Sequence, residues 1–222
     1  NYDGKTNGIT APNGVAQVEL LEDIYKRYNI DTNDIDYIVT HGTGTKLGDP
    51  IEVNSLFEVY KKGMKEKQYC ALTSIKPNIG HSQAASGLVN LIILSLSMKN
   101  AIIPPTINCE EPNDYIQWDD SPFYLNREPK KWNVKKNRNR KGAVSSFGFG
   151  GTNAHVVLES KDEVETTNSK APAYLLLFSA NSKKALNHKL EDMLVYFNKN
   201  SEDIDLMLSL IHISEPTRLA LI

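Results

Sequence analysis

Tyr37-Ile38-Val39-Thr40-His41-Gly42-Thr43-Gly44-Thr45-Lys46-Leu47-Gly48-Asp49-Pro50-Ile51-Glu52 decides the architecture. The first four residues are an apolar run short enough for a buried strand. A glycine-rich loop, His41 to Gly48, follows directly. A helix then opens and runs to about Lys62. Asp49 fits its N-cap, Pro50 its first helical position and Glu52 the capping-box acid. Strand, loop and helix in that order form one unit of an α/β fold. Such folds place ligands at the carboxyl ends of their strands, and His41 sits there. A lone histidine is more often structural. Here Gly42 and Gly44 permit close backbone approach, and Thr43 and Thr45 alternate with them. That arrangement suits hydrogen bonding to an amide-rich arm.

The same scheme recurs downstream. Tyr69 to Thr73 predicts a strand, Ser74 to His81 a loop, and Gln83 to Met98 a buried helix. Upstream, Val15, Val18, Leu21, Ile24, Tyr25 and Tyr28 recur at helical spacing, which predicts an amphipathic helix over Val15 to Asn29. Three strands are expected at Pro122–Leu125, Gly142–Phe147 and Asn153–Glu159. Gly148-Phe149-Gly150-Gly151 turns the chain between the last two. The element order predicts an α/β fold, a mixed sheet with helices on both faces.

The expected organisation is a domain over residues 1–159 and a charged, polar linker over 160–172. A small second α/β unit begins at 173–207. It contains a strand at Tyr174–Phe178 and a helix capped by Asn181 or Ser182 that runs to about Asn198. Leu208 to Arg218 resembles an in-frame translation of a sequencing adapter, so residues 208–222 are set aside as an artefact. With a start that reads as mid-domain, this predicts a truncated chain.

Of 222 residues, 40% are hydrophobic and 23% charged, which is ordinary for a globular protein. The net charge of −2 implies no nucleic-acid partner. Lys135, Lys136, Arg138, Arg140 and Lys141 read as a solvated loop before a strand. The longest apolar stretch, Leu88 to Met98, is too short to span a bilayer. Two cysteines and no signal-like segment fit a reducing cytoplasm. Cys70 reads as a strand core residue and Cys109 as a loop thiol. Neither stands in a nucleophile setting, and no spacing suggests a metal.

His81 precedes a helix whose first residues, Ala84, Ala85, Ser86 and Gly87, are small. The positive end of that helix disfavours imidazolium, so His81 is expected neutral, with one N–H for a developing oxyanion. Lys76 lies in the same loop. It is either a surface lysine or a buried one, and burial would require a partner. Phe149 is a turn-anchoring aromatic or a mobile gate, and a backbone N–H of its turn can serve an oxyanion hole.

His41–Thr45, Lys76-Pro77-Asn78-Ile79-Gly80-His81 and Ser146-Phe147-Gly148-Phe149-Gly150-Gly151-Thr152-Asn153, in this order, resemble the carboxy-terminal half of a β-ketoacyl synthase of the thiolase-like fold. Asn7 to Gly14 resembles the stretch ahead of that half. The Pro-Asn-Ile-Gly-His and Gly-Thr-Asn-Ala-His forms are similar to modular type I polyketide synthases. The resemblance implies an acyltransferase performing decarboxylative Claisen condensation. In it, His41 and His81 would bind a malonyl thioester carbonyl, and Lys76 would orient the His81 region. Thr43 and Thr45 would contact the phosphopantetheine arm of an acyl carrier protein. Phe149 would act as the acyl-pocket gate, with its backbone N–H in the oxyanion hole, and Phe147 and Gly150 would join the substrate- and phosphopantetheine-binding residues. Asp49 and Glu52 match acidic positions of the family.

The implied partners are the acyl carrier protein, the amino-terminal half of the same domain, and a second copy in a homodimer. The implied substrate rides on the carrier's phosphopantetheine, and no cofactor is bound directly. The family's nucleophilic cysteine belongs to the amino-terminal half, so these residues alone are expected to be inactive. Asn90 stands where fatty-acid-type enzymes carry a Glu, which leaves Lys76 without an obvious acidic partner. The alternatives are a fatty-acid-elongating synthase and a non-condensing acyl-binding domain. Members of the latter often lose the first histidine, which is present here.

Overall fold

The computed structural model describes residues 1–3, 12–134, 138–161 and 178–199. Asn7–Ala11, Lys135–Asn137, Tyr174–Leu177 of the expected second-unit strand, and residues 200–222 lie outside them. The chain divides into two units, Asn1–Asp162 and Glu163–Ile222.

The first unit is built on a five-stranded sheet. Its strands are β1 (Tyr37–Val39), β2 (Cys70–Thr73), β4 (Phe123–Leu125), β6 (Lys141–Phe147) and β7 (Asn153–Glu159), in the order β4-β2-β1-β6-β7. The first four run parallel and β7 pairs antiparallel to β6. The sheet is mixed, as the sequence predicts. Two short strands absent from that reading, β3 (Ile102–Ile103) and β5 (Lys130–Lys131), pair antiparallel outside it. Two residues each leave no alternation to detect.

Because side chains alternate across a strand, β1 feeds two cores. Ile38 joins Leu21, Tyr25, Leu56, Tyr60, Leu72 and Phe123 under α1 (Gly14–Arg27) and α2 (Gly48–Tyr60). Tyr37 and Val39 join Leu94, Met98, Trp132 and Val144 under α4 (Ser86–Asn100). Helices thus cover both faces of the sheet. The outer side of α4 carries Leu88, Ile92 and Leu96 exposed to solvent.

Helix ends follow local chemistry. Asn13 caps α1, its side chain accepting from Val15 and Ala16 N–H. The helix stops at Arg27 rather than Asn29, because Asn29 takes a left-handed φ of 50°. Ser74 to His81, expected as a loop, contains the single turn α3 (Lys76–Ile79) closed by Gly80 at φ 78°. A 3₁₀ turn over Gln83–Ala85 leads into α4, which ends at Asn100 rather than Met98. In the second unit, α5 (Lys183–Lys199) is capped by Ser182 Oγ, which accepts from Ala185 N–H at 3.2 Å.

A buried polar chain ties the first unit together. Ser145 Oγ meets His155 Nδ1 at 3.0 Å, and His155 Nε2 meets Tyr25 OH at 3.1 Å. Tyr25 OH meets Tyr60 OH at 2.6 Å. Burial pushes the His155 imidazole down to about 3, so it is neutral at physiological pH.

Candidate active site

Three parallel strands end at one edge of the sheet, and their chain continuations carry the three motifs. β1 delivers His41, β2 delivers the Lys76–His81 segment, and β6 ends at Phe147. The His41 and His81 rings meet edge to face, 5.6 Å between centroids with planes at 79°. Phe147 closes the other side of His41 at 5.8 Å and 66°.

The His41 backbone is held from several directions. Glu52 Oε1 accepts its N–H at 2.8 Å, and Glu52 Oε2 accepts the Gly42 N–H at 2.9 Å. Lys76 Nζ donates to the His41 carbonyl. The carbonyl one residue earlier, on Thr40, accepts from Asn90 Nδ2 at 3.0 Å. Gly42 adopts φ 44°, and a Cβ there would meet Ser74 Oγ at 2.9 Å. Only glycine therefore takes this bend without strain.

Glu52 corrects an expectation. It is no capping-box acid, and Asp49 is no N-cap. The helix starts at Gly48 after Leu47, with no side-chain cap bond. Thr45 Oγ1 instead accepts the Gly48 N–H at 2.9 Å, and Asp49 Oδ1 accepts that of Gly44 at 3.0 Å. With the helix begun earlier, both acids face the loop. Glu52 is 4% exposed, and burial pushes its carboxyl up to about 7 against the pull of its two N–H donors.

Lys76 is half-buried, and burial holds its ammonium below the ordinary range. Glu52 and Asp49 oppose that shift from α2, so Lys76 has acidic neighbours that its own segment does not reveal. Asn90 is not among them, because its amide is spent on strand carbonyls.

His41 is pushed down to about 4, first by burial and then by Lys76 and His81. It is a neutral imidazole at pH 7, and its buried Nδ1 has no partner among the described residues. His81 Nδ1 accepts the Gln83 N–H at 3.0 Å, which leaves Nε2 to carry the proton. Gln83 takes a left-handed φ of 51° to aim that N–H.

The loop borders a cleft of ≈ 1160 Å³ whose lining includes Thr43, Thr45, Lys76, His81, Glu52 and Trp118. The Thr43 and Thr45 hydroxyls are exposed and 3.4 Å apart. In the Gly148–Thr152 turn, Gly148 N–H donates to Thr152 O and Gly151 N–H to Gly148 O. Neither closing bond uses the N–H of Phe149 or Gly150, and the Phe149 ring is 81% exposed. The structure thus brings His41, His81, Lys76 and Phe147 together and leaves Phe149 and Gly150 projecting from the edge.

Cys70 is wholly buried, its Sγ against Ala71 O, and burial raises its thiol well above the usual range. Cys109 lies along the cleft with its thiol also raised. Neither holds the thiolate that nucleophilic attack requires. Among the described residues, no three His, Cys, Asp or Glu side chains are grouped to hold a metal ion. No described helix is long and apolar enough to cross a membrane.

Comparison with known proteins bears on the family and the fold. Residues 1–110 match the family described as beta-ketoacyl synthase, C-terminal domain, and residues 112–220 match the ketoacyl-synthetase C-terminal extension. The chain is 45% identical over 203 residues to polyketide synthase PksM of Bacillus subtilis, covering 90% of this chain and 5% of that protein. Polyketide synthase ThaG of Burkholderia thailandensis is 43% identical over 195 residues, covering 87% and 3%. The solved ketosynthase from module 6 of the bacillaene synthase of Bacillus subtilis matches at TM-score 0.71 and 42% identity, over 93% of this chain and 35% of that one. The chain thus spans a small fraction of its curated relatives and about a third of a solved ketosynthase. Motif order, sheet and matches together assign the chain to the β-ketoacyl synthase family, as the carboxy-terminal half of a type I polyketide synthase ketosynthase with the thiolase-like fold.

Proposed function

We propose that His41 and His81 form the decarboxylation site of a ketosynthase that condenses a malonyl-carrier protein with an enzyme-bound acyl thioester. The observation that supports this best is the juxtaposition of two imidazoles at one sheet edge. One is neutralised by burial, and the other has its tautomer set by a backbone N–H. Each then offers one N–H to a single oxygen. The malonyl thioester carbonyl accepts both, the C–CO₂ bond breaks, CO₂ leaves, and the electron pair moves into an enolate oxygen stabilised by the two donors. The enolate carbon attacks the acyl carbonyl, a C–C bond forms, and the cysteine thiolate departs. That cysteine is supplied by the amino-terminal half of the domain.

Lys76 holds the His41 carbonyl, and its positive charge adds to burial in keeping the His41 ring neutral. Thr43 and Thr45 offer exposed hydroxyls to the amides of the phosphopantetheine arm, so the acyl carrier protein docks at this side of the loop. Phe149 and Gly150 line the acyl entrance, with a turn N–H for the second oxyanion. The working assembly is a cytoplasmic homodimer of complete ketosynthase domains.

The test is decarboxylation of radiolabelled malonyl-carrier protein by an intact ketosynthase carrying this sequence. His41→Ala and His81→Ala are each expected to lower CO₂ release at least 100-fold, in the range of losing a preorganised oxyanion donor. Release retained in both variants would refute the assignment.

A further inference from the structure

Asn90 is wholly buried in α4, yet the proposed chemistry gives it no task. Its Nδ2 donates to Thr40 O at 3.0 Å and to Ser145 O at 3.2 Å. Those carbonyls belong to neighbouring parallel chain segments. Thr40 directly precedes His41, and Ser145 lies two residues before Phe147, the ring that meets His41 edge to face. One amide therefore spans the two segments that carry both partners of the His41–Phe147 contact. Its Oδ1 is buried without a partner among the described residues, so Asn90 tolerates an unsatisfied acceptor to keep both donations. Rotating the amide would set Oδ1 against two carbonyl oxygens, so the donating orientation is the only stable one.

We propose that Asn90 is a positioning residue that clamps the carboxyl ends of β1 and β6 and so fixes the His41 ring for decarboxylation. This rests on the role proposed for His41. The neighbouring charges do not offer a substitute for it. Glu52 grips the His41 and Gly42 N–H groups, and Lys76 grips the His41 carbonyl, but both bond only the chain that follows β1 and neither reaches β6. His155 reaches only the Ser145 hydroxyl, leaving that residue's carbonyl to Asn90. Beyond the Val39–Val144 rung, the last of the β1–β6 ladder, the Asn90 amide carries the tie between the two strand ends one residue further.

Asn90→Leu keeps a similar volume and removes both donors. Asn90→Asp keeps the shape, and its buried carboxyl regains one O–H donor when protonated. In an intact ketosynthase carrying this sequence, decarboxylation of malonyl-carrier protein and self-acylation of the nucleophilic cysteine are measured side by side. Asn90→Leu is expected to lose about 100-fold in decarboxylation at saturating substrate, as displacement of a catalytic group by about 1 Å can cost. Self-acylation, which uses the turn after β6 and not His41, should fall at least tenfold less than decarboxylation. Asn90→Asp should recover relative to wild type as pH falls from 8.5 to 6, while Asn90→Leu should not. Over that range His41 and His155 stay neutral, held at about 4 and about 3 by burial, and Glu52, raised to about 7, titrates in wild type as well, so Asn90→Leu serves as the reference for its contribution.

His41→Ala serves as the control. If it leaves decarboxylation intact, the histidine assignment fails and this inference with it. If it abolishes decarboxylation while a folded Asn90→Leu retains it within twofold, only the clamp is overturned. Should Asn90→Leu not fold, Asn90→Asp decides: a pH profile parallel to wild type overturns the proposal.

Discussion

Replacing Glu52 by Gln probes the loop grip through its pH dependence. The carboxyl accepts two backbone N–H groups in a site 4% exposed, and burial raises it from 4.5 to about 7. A folded-state pKa above the unfolded one means the native protein binds the extra proton between those pH values. Stability is then fully present below about 4.5 and declines as pH rises through about 7. The shift from 4.5 to about 7 corresponds to about 3 kcal/mol of such decline. Gln has no proton to lose, so it abolishes the decline. It also turns an NH₂ toward one of the two N–H groups and orphans that donor, at about 1–3 kcal/mol.

The two effects add with opposite sign. At pH 5 the Gln variant should be less stable than wild type by about 2 kcal/mol. By pH 8.5 relief of the ionised carboxylate offsets that loss, and the two proteins should be equal within about 1 kcal/mol or the variant ahead. The assay is urea unfolding of the intact ketosynthase domain at half-unit intervals from pH 5 to 8.5, read by tryptophan fluorescence. His41, held at about 4, stays neutral across the range in both proteins, and the difference curve reads Glu52 together with its coupling to Asp49 and Lys76. Parallel curves across that range would refute the reasoning.

Tyr25→Phe removes the hydroxyl shared by Tyr60 and His155, and should destabilise by about 1–3 kcal/mol without altering the His41–His81 pair, as thermal unfolding and decarboxylation would show. Gly151→Ala should cost more than about 1 kcal/mol, because φ is 88° and a Cβ there collides with Asp3 O; unchanged stability would contradict it. Residues 1–222 expressed alone should show no condensation, because Cys70 is buried and Cys109 has a raised thiol; elongation of a carrier-bound acyl chain by that polypeptide would defeat the assignment.

The fold class and most elements were legible from local patterns. Apolar runs marked β1, β2, β6 and β7, helical spacing marked α1, and glycines marked the loops. Boundaries moved where a single backbone conformation decided them, as at Asn29 or in the turn hidden between Ser74 and His81. Asp49 and Glu52 were misread for a related reason. Both acids fit a capping pattern, and only the true helix start at Gly48 turns them toward the loop.

By itself, the sequence determined which chemistry the chain carries and in what order: two imidazoles, an ammonium, paired hydroxyls and a glycine turn on successive strand–loop units. Those features are written within a few residues each, where propensity and spacing act. The tertiary structure alone decided what holds them. Glu52 reaches the His41 and Gly42 N–H groups across 11 and 10 residues, and Asn90 reaches Thr40 and Ser145 across 50 and 55. Such partners cannot be read from local spacing, because they exist only once parallel strands align their carboxyl ends and desolvation drives most buried donors and acceptors to pair across the fold.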